Sequence, residues 1–150
     1  MDTPQQNDTT VRFHIYDAAL ATGRPPVIEE LARRTGLGEA AVKVSLGRLA
    51  AEHILVLQPE SGEILMAAPF SAVPTAFVVE TPRMRAYANC IWDAIGIPVM
   101  AHLPARIETA CGCCGEQMAL HVTSGGVTPS DGVVHFALPA MRWWENIVFT

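Results

Sequence analysis

A thiol and a carboxyl stand three residues apart at Cys90 and Asp93, inside the otherwise apolar stretch Met84-Arg85-Ala86-Tyr87-Ala88-Asn89-Cys90-Ile91-Trp92-Asp93-Ala94-Ile95-Gly96-Ile97-Pro98. A thiolate is a soft nucleophile and a ligand for soft metals. A carboxyl within reach of it can take up and deliver a proton. Thr81-Pro82 reads as a helix opening and Gly96-Ile97-Pro98 as its stop. On such a helix the two groups share one face, with Cβ atoms about 5–6 Å apart. The structural alternative is a buried Cys90 acting as a small hydrophobe, with Asp93 solvated at a helix end.

The other cysteines crowd together at Cys111, Cys113 and Cys114. Cys111 and Cys114 have the C-x-x-C spacing of one zinc knuckle, with glycines around them. No second knuckle follows, so His102, His121, His135 or Cys90 would have to complete a four-ligand site from elsewhere. The pair does not open a helix as a thioredoxin-like dithiol does. Cys111 is expected in a core or turn, whereas Cys113 and Cys114 stay open as metal ligands. His121 and His135 fall within strand patterns, where partial burial or exposure is expected rather than ligation. Phosphate loops, Ser-His-Asp orders and metalloprotease motifs are absent. Trp143-Trp144 read as core anchors.

With 50% hydrophobic and 17% charged residues, the 150-residue chain has the composition of a folded domain. No apolar run reaches the roughly 18–20 residues that a membrane helix needs. The polar start, residues 1–10, is no signal peptide and reads as a frayed tail. Net charge −5 with ten Lys plus Arg argues against nucleic acid as main partner. Four cysteines without a secretory leader point to a reducing cytoplasm and free thiols.

Apolar spacing predicts helices over 11–22, 27–36 and 39–52, and then a hairpin of 54–57 with 63–67. Three helices and a hairpin make a winged helix-turn-helix plan, over 11–69. Its third helix carries Glu39, Lys43, Ser45, Arg48 and Glu52, with no net positive charge to meet a major groove. A structural use of the module is therefore expected over DNA binding. Residues 68–74 read as an apolar linker and 75–80 as a strand, so 70–81 joins the two parts. The part from 82 to 150 holds the Cys90 helix, strands at 105–110, 116–123 and 133–138, a loop at 127–132 and an aromatic helix at 141–149. The expected fold class is α+β, the winged-helix-like module being followed by a small mixed β-sheet with flanking helices.

Taken together these pieces resemble the organomercurial (alkylmercury) lyase family over roughly residues 11–150. The specific part is Tyr87-x-x-Cys90-x-x-Asp93, supported by the cysteine-glycine turn after 105–110 and by Trp143-Trp144. The resemblance implies protonolysis of a carbon–mercury bond to a hydrocarbon and Hg(II). It makes Cys90 the first catalytic cysteine and a mercury ligand, Asp93 the proton carrier, and Cys111 a structural cysteine. It implies a small organomercurial substrate with low-molecular-weight thiols as partners, no membrane and no resident cofactor. The family's second catalytic cysteine falls immediately after Thr150, where this sequence stops. Two explanations stand side by side: a product ending at a UGA codon meant for selenocysteine, or a member in which Cys113 or Cys114 substitutes or which only binds mercury. From another class comes a winged-helix regulator that senses metal or redox state through its thiols.

Overall fold

Thr3 starts the first helix. Its hydroxyl accepts from the Gln6 backbone N–H (3.3 Å), and the Gln6 side chain accepts from the Thr3 N–H (2.7 Å), a reciprocal capping box. With Pro4 in the first turn, helix α1 runs Pro4–Thr22. The computed structural model describes residues 3–129 and 131–149. Of the tail expected over 1–10, residues 3–10 are instead the capped start of α1, and Met1 and Asp2 lie outside the described residues. Ser130, in the expected loop, and Thr150 lie outside them too.

Helices α2 (Ile28–Thr35) and α3 (Glu39–Ala51) follow, and Val11, Ile15, Leu31, Val42, Leu46 and Leu49 interlock as their shared core. Arg48 of α3 is tied to Asp8 of α1 through Nε at 2.7 Å and Nη2 at 2.6 Å. The hairpin strands are β1 (Val56–Leu57) and β2 (Ile64–Ala67), and Leu55 and Ile64 complete the first core.

The hairpin does not stand alone. Strands β3 (Phe70–Ser71), β4 (Val78–Glu80), β5 (Arg85–Ala88), β6 (Ala105–Ala110), β7 (Gln117–Thr123) and β8 (Gly126–Thr128) extend it into one eight-stranded sheet. The strand order is β1-β2-β3-β5-β4-β6-β7-β8, and every described pairing is antiparallel, which corrects the expected mixed sheet. Phe70, Val79, Ala86, Ala88, Ile107 and Val122 line its covered face. Ala19 of α1 packs into that second core, so α1 touches both.

The stretch expected as one helix from 84 to 98 is divided. Ala86 and Ala88 are buried and alternate with less buried neighbours, a period of two that suits β5 between β3 and β4. Helix α4 begins only after Cys90, at Ile91, and runs to Ala101. Pro98 does not stop it. That residue is buried within the helix, which ends at His102 in the left-handed region, φ 53°. Ala94, Ile97 and Pro98 are the buried face of α4.

At the far end, the expected strand over 133–138 has no sheet partner among the described residues; β8, which overlaps the start of the expected loop, takes the edge beside β7. The aromatic segment is a 3₁₀ turn, Ala140–Glu145, rather than an α-helix over 141–149. Trp143 is half-buried and Trp144 is exposed. Neither is a core anchor: both lie outside the two core clusters and pack instead on His53 and Phe136.

Candidate active site

The end of β5 and the start of α4 meet at Asn89-Cys90. Cys90 is the N-cap, extended at φ −149° and ψ 179°, and its sulfur accepts the Asp93 backbone N–H at 3.5 Å. The two side chains that sequence spacing placed on one helical face are thus brought together by a cap. One is the cap itself and the other sits in the first turn, where unpaired N–H groups and the helix dipole favour negative charge.

Burial opposes that field. It pushes the Cys90 thiol up; the Asp93 N–H bond pulls it down, the charge of Asp93 raises it further, and the Trp92 N–H lowers it. Burial also pushes the Asp93 carboxyl above its ordinary value, against the pull of Asn89, whose Nδ2 donates to Asp93 Oδ2 at 2.9 Å. The other atom of that amide, Asn89 Oδ1, is buried with no hydrogen-bond partner among the described residues. Burial therefore favours the protonated form of both groups.

Both groups face an apolar cleft of about 260 Å³. Three separate stretches wall it. The connection from α3 and the hairpin it enters give His53, Ile54, Leu55, Val56 and Met66; the Cys90 segment gives Asn89, Trp92 and Asp93; the last part of the chain gives Phe136, Trp143, Trp144, Ile147 and Val148. His53 stacks flat on Trp144 with ring centroids 4.2 Å apart at 7°. Phe136 leans on Trp143 at 4.8 Å, and Trp143 Nε1 donates to the Leu138 carbonyl at 2.9 Å. Tyr16 reaches the same region from α1, its hydroxyl donating to the carbonyl of Ala68, another cleft residue, at 3.2 Å. Burial raises the Tyr16 phenol, Arg12 works against that, and the charge of Asp93 adds to it.

Residues 70–150, more than half of the chain, match the sequence profile of the alkylmercury lyase (MerB) family. The chain belongs to the alkylmercury lyase family. Its fold is similar to the crystal structure of the mercury-bound form of MerB2, with TM-score 0.61 and 21% sequence identity over 86% of this chain and 63% of that one. The chain therefore spans just under two thirds of the length of that structure. Among curated proteins nothing matches.

Of the alkylmercury lyase residues expected from sequence, Cys90 and Asp93 lie together in the cleft, whereas Cys113 and Cys114 do not line it. These two are exposed in the β6–β7 turn with Cys111, and all four cysteines are free. Nor do His102, His121, His135 or Cys90 complete a cage around that turn. Among the described residues no three His, Cys, Asp or Glu side chains are grouped to hold a metal ion. The neighbouring backbone N–H groups of Cys114 and Cys113 draw the Cys111 thiol below its ordinary pKa. Sequence reasoning missed Asn89, His53, Tyr16 and Phe136. Only Asn89 left a local trace, an amide four residues before a carboxyl. The others come to the cleft across the fold.

Asp93 makes stability depend on pH. Its folded-state pKa is raised, so its contribution is fully present below the unfolded value, near 3.9, and is lost as pH rises through the folded value. Asp93→Asn removes this titration and keeps a polar partner for Asn89. Chemical denaturation from pH 4 upward should show the variant gaining on the native chain, by at most about 1.4 kcal/mol per pH unit across that window. A constant difference would contradict the raised carboxyl.

Proposed function

We propose that this chain cleaves carbon–mercury bonds of small organomercurials by protonolysis. The observation that carries the reading is that Cys90, whose sulfur accepts the Asp93 backbone N–H, and Asp93 both line one apolar, aromatic-walled cleft. The cleft suits a hydrocarbon group, and the thiol suits its mercury.

The steps balance without an oxidant. The substrate arrives as R–Hg–SR′, its mercury carrying a low-molecular-weight thiolate. Cys90 gives its proton to the Asp93 carboxylate and forms a sulfur–mercury bond. Two soft sulfur ligands then push electron density onto the carbon. Asp93 delivers the same proton to that carbon as the carbon–mercury bond breaks, releasing R–H and leaving mercury between Cys90 and R′S; a second R′SH then gives its proton to Cys90 as Hg(SR′)₂ leaves. Asp93 ends as it began. Asn89 holds the carboxyl by one oxygen and leaves the other for proton transfer, a positioning role.

The three helices and the β1–β2 hairpin serve this reading as a winged-helix-like scaffold. His53, Ile54, Leu55 and Val56 wall the cleft, and Arg48, one of the two basic side chains of α3, is engaged by Asp8. That use fits a structural module better than a DNA-reading one. Free thiols at all four cysteines suit a reducing compartment such as the cytoplasm. Among the described residues no helix is long and apolar enough to cross a membrane.

The test is release of benzene from a phenylmercury compound in the presence of excess monothiol, followed by gas chromatography. Catalytic benzene release is the expected result. Stoichiometric mercury binding without benzene would replace the reading by one of binding alone.

A further inference from the structure

The β6–β7 turn carries thiols that the cleft does not use. Cys111 N–H donates to the Glu116 carbonyl and Gly115 N–H to the Cys111 carbonyl, both at 2.8 Å, which folds Cys111-Gly112-Cys113-Cys114-Gly115 back on itself. Gly115 makes the reversal at φ 74°, a left-handed conformation that side chains disfavour. Inside the loop the backbone N–H groups of Cys114 and Cys113, and the Cys114 side chain, draw the Cys111 thiol below its ordinary pKa. The turn therefore brings the two cysteines of the C-x-x-C pair back toward each other. Cys114 is exposed, so the pair opens to solvent.

We propose that Cys111 and Cys114 form a second thiophilic-metal site, separate from the cleft, which chelates a two-coordinate d¹⁰ cation such as Hg(II). The absence of a third grouped ligand among the described residues fits a cation satisfied by two sulfurs and not one that needs four, as zinc does. Loading is a ligand exchange. Hg(SR)₂ meets the two protein thiols, two sulfur–mercury bonds form as two break, and the thiol protons leave on the two released RSH molecules. No electrons are transferred. The chelate has the advantage over free monothiols, because once one sulfur is bound the second is held at high effective concentration. Cys113, between the pair, is not required.

The inference stands apart from the lyase reading and is tested without Cys90. The full-length Cys90→Ser chain is loaded with mercury(II) chloride, dialysed against excess 2-mercaptoethanol, and assayed for bound mercury by atomic absorption. One retained mercury per chain is expected. Adding Cys114→Ser, at an exposed position that the fold tolerates, should cut retention at least about tenfold, and Cys114→Ala should do the same. Adding Cys113→Ser should leave it unchanged. No retention by Cys90→Ser alone, or equal loss from Cys113→Ser and Cys114→Ser, overturns the assignment. So does stoichiometric zinc held through the same dialysis and lost with Cys114→Ser.

Discussion

Asp93→Asn should lower benzene release from phenylmercury by about 10²–10⁴-fold, the range that a positioned general acid–base supplies. The amide matches the carboxyl in size and can still accept from Asn89 Nδ2, so the cleft keeps its shape. What it loses is a proton that can be taken from Cys90 and given to carbon. Mercury capture through Cys90 should therefore persist, and the loss should fall on turnover. Cys90→Ser should behave differently and lose capture and turnover together, because a hydroxyl oxygen is a hard ligand with little affinity for mercury. Steady-state rates and mercury stoichiometry on both variants separate the two roles. Equal loss of binding in Asp93→Asn would make the carboxyl a ligand rather than a proton carrier. Wild-type turnover in that variant would remove Asp93 from the chemistry.

Gly23→Ala should be the most disruptive small substitution outside the cleft. Gly23 closes α1 at φ 82°, and a Cβ there would sit 2.1 Å from the Arg85 carbonyl oxygen and 2.8 Å from its carbon. A left-handed alanine costs roughly 1–2 kcal/mol. Displacing backbone from a well-packed site adds about 1–3 kcal/mol. The expected loss is thus about 2–5 kcal/mol, readable as a shift in denaturant midpoint. The clash falls on β5, which leads straight into Asn89-Cys90, so part of any activity loss should appear even under conditions where the variant is folded. Gly36→Ala is the control. It shares the positive φ of 73° but meets nothing within 4 Å, so it should show the conformational part alone.

The helices over 28–35 and 39–51 and the strand over 105–110 were legible because local period and burial agree: Val42, Leu46 and Leu49 repeat on one helical face, and Ala105, Ile107 and Thr109 alternate inward. Cys90 and Asp93 were legible as a candidate pair because a thiol and a carboxyl stand out in apolar surroundings, and both line the cleft. The segment before them was not, since Met84 to Ala88 carries apolar residues that fit either period. The choice of strand was made by β3 and β4, which supply ladder partners on both sides. Pro98 misled for a similar reason: its local cost as a helix breaker is met by burial against the sheet.

The chain's residue types and their order determined the thiol–carboxyl pair and the helical front, together with a family resemblance strong enough to direct the chemistry. Only tertiary structure decided that Cys90 is a cap rather than a mid-helix residue, and that His53, Asn89, Trp143 and Trp144 share one cleft with it. It also kept the Cys111 turn apart from that cleft. Residues that meet across a sheet leave no common period in the sequence, because their spacing is set by where strands pair and not by any repeat along the chain.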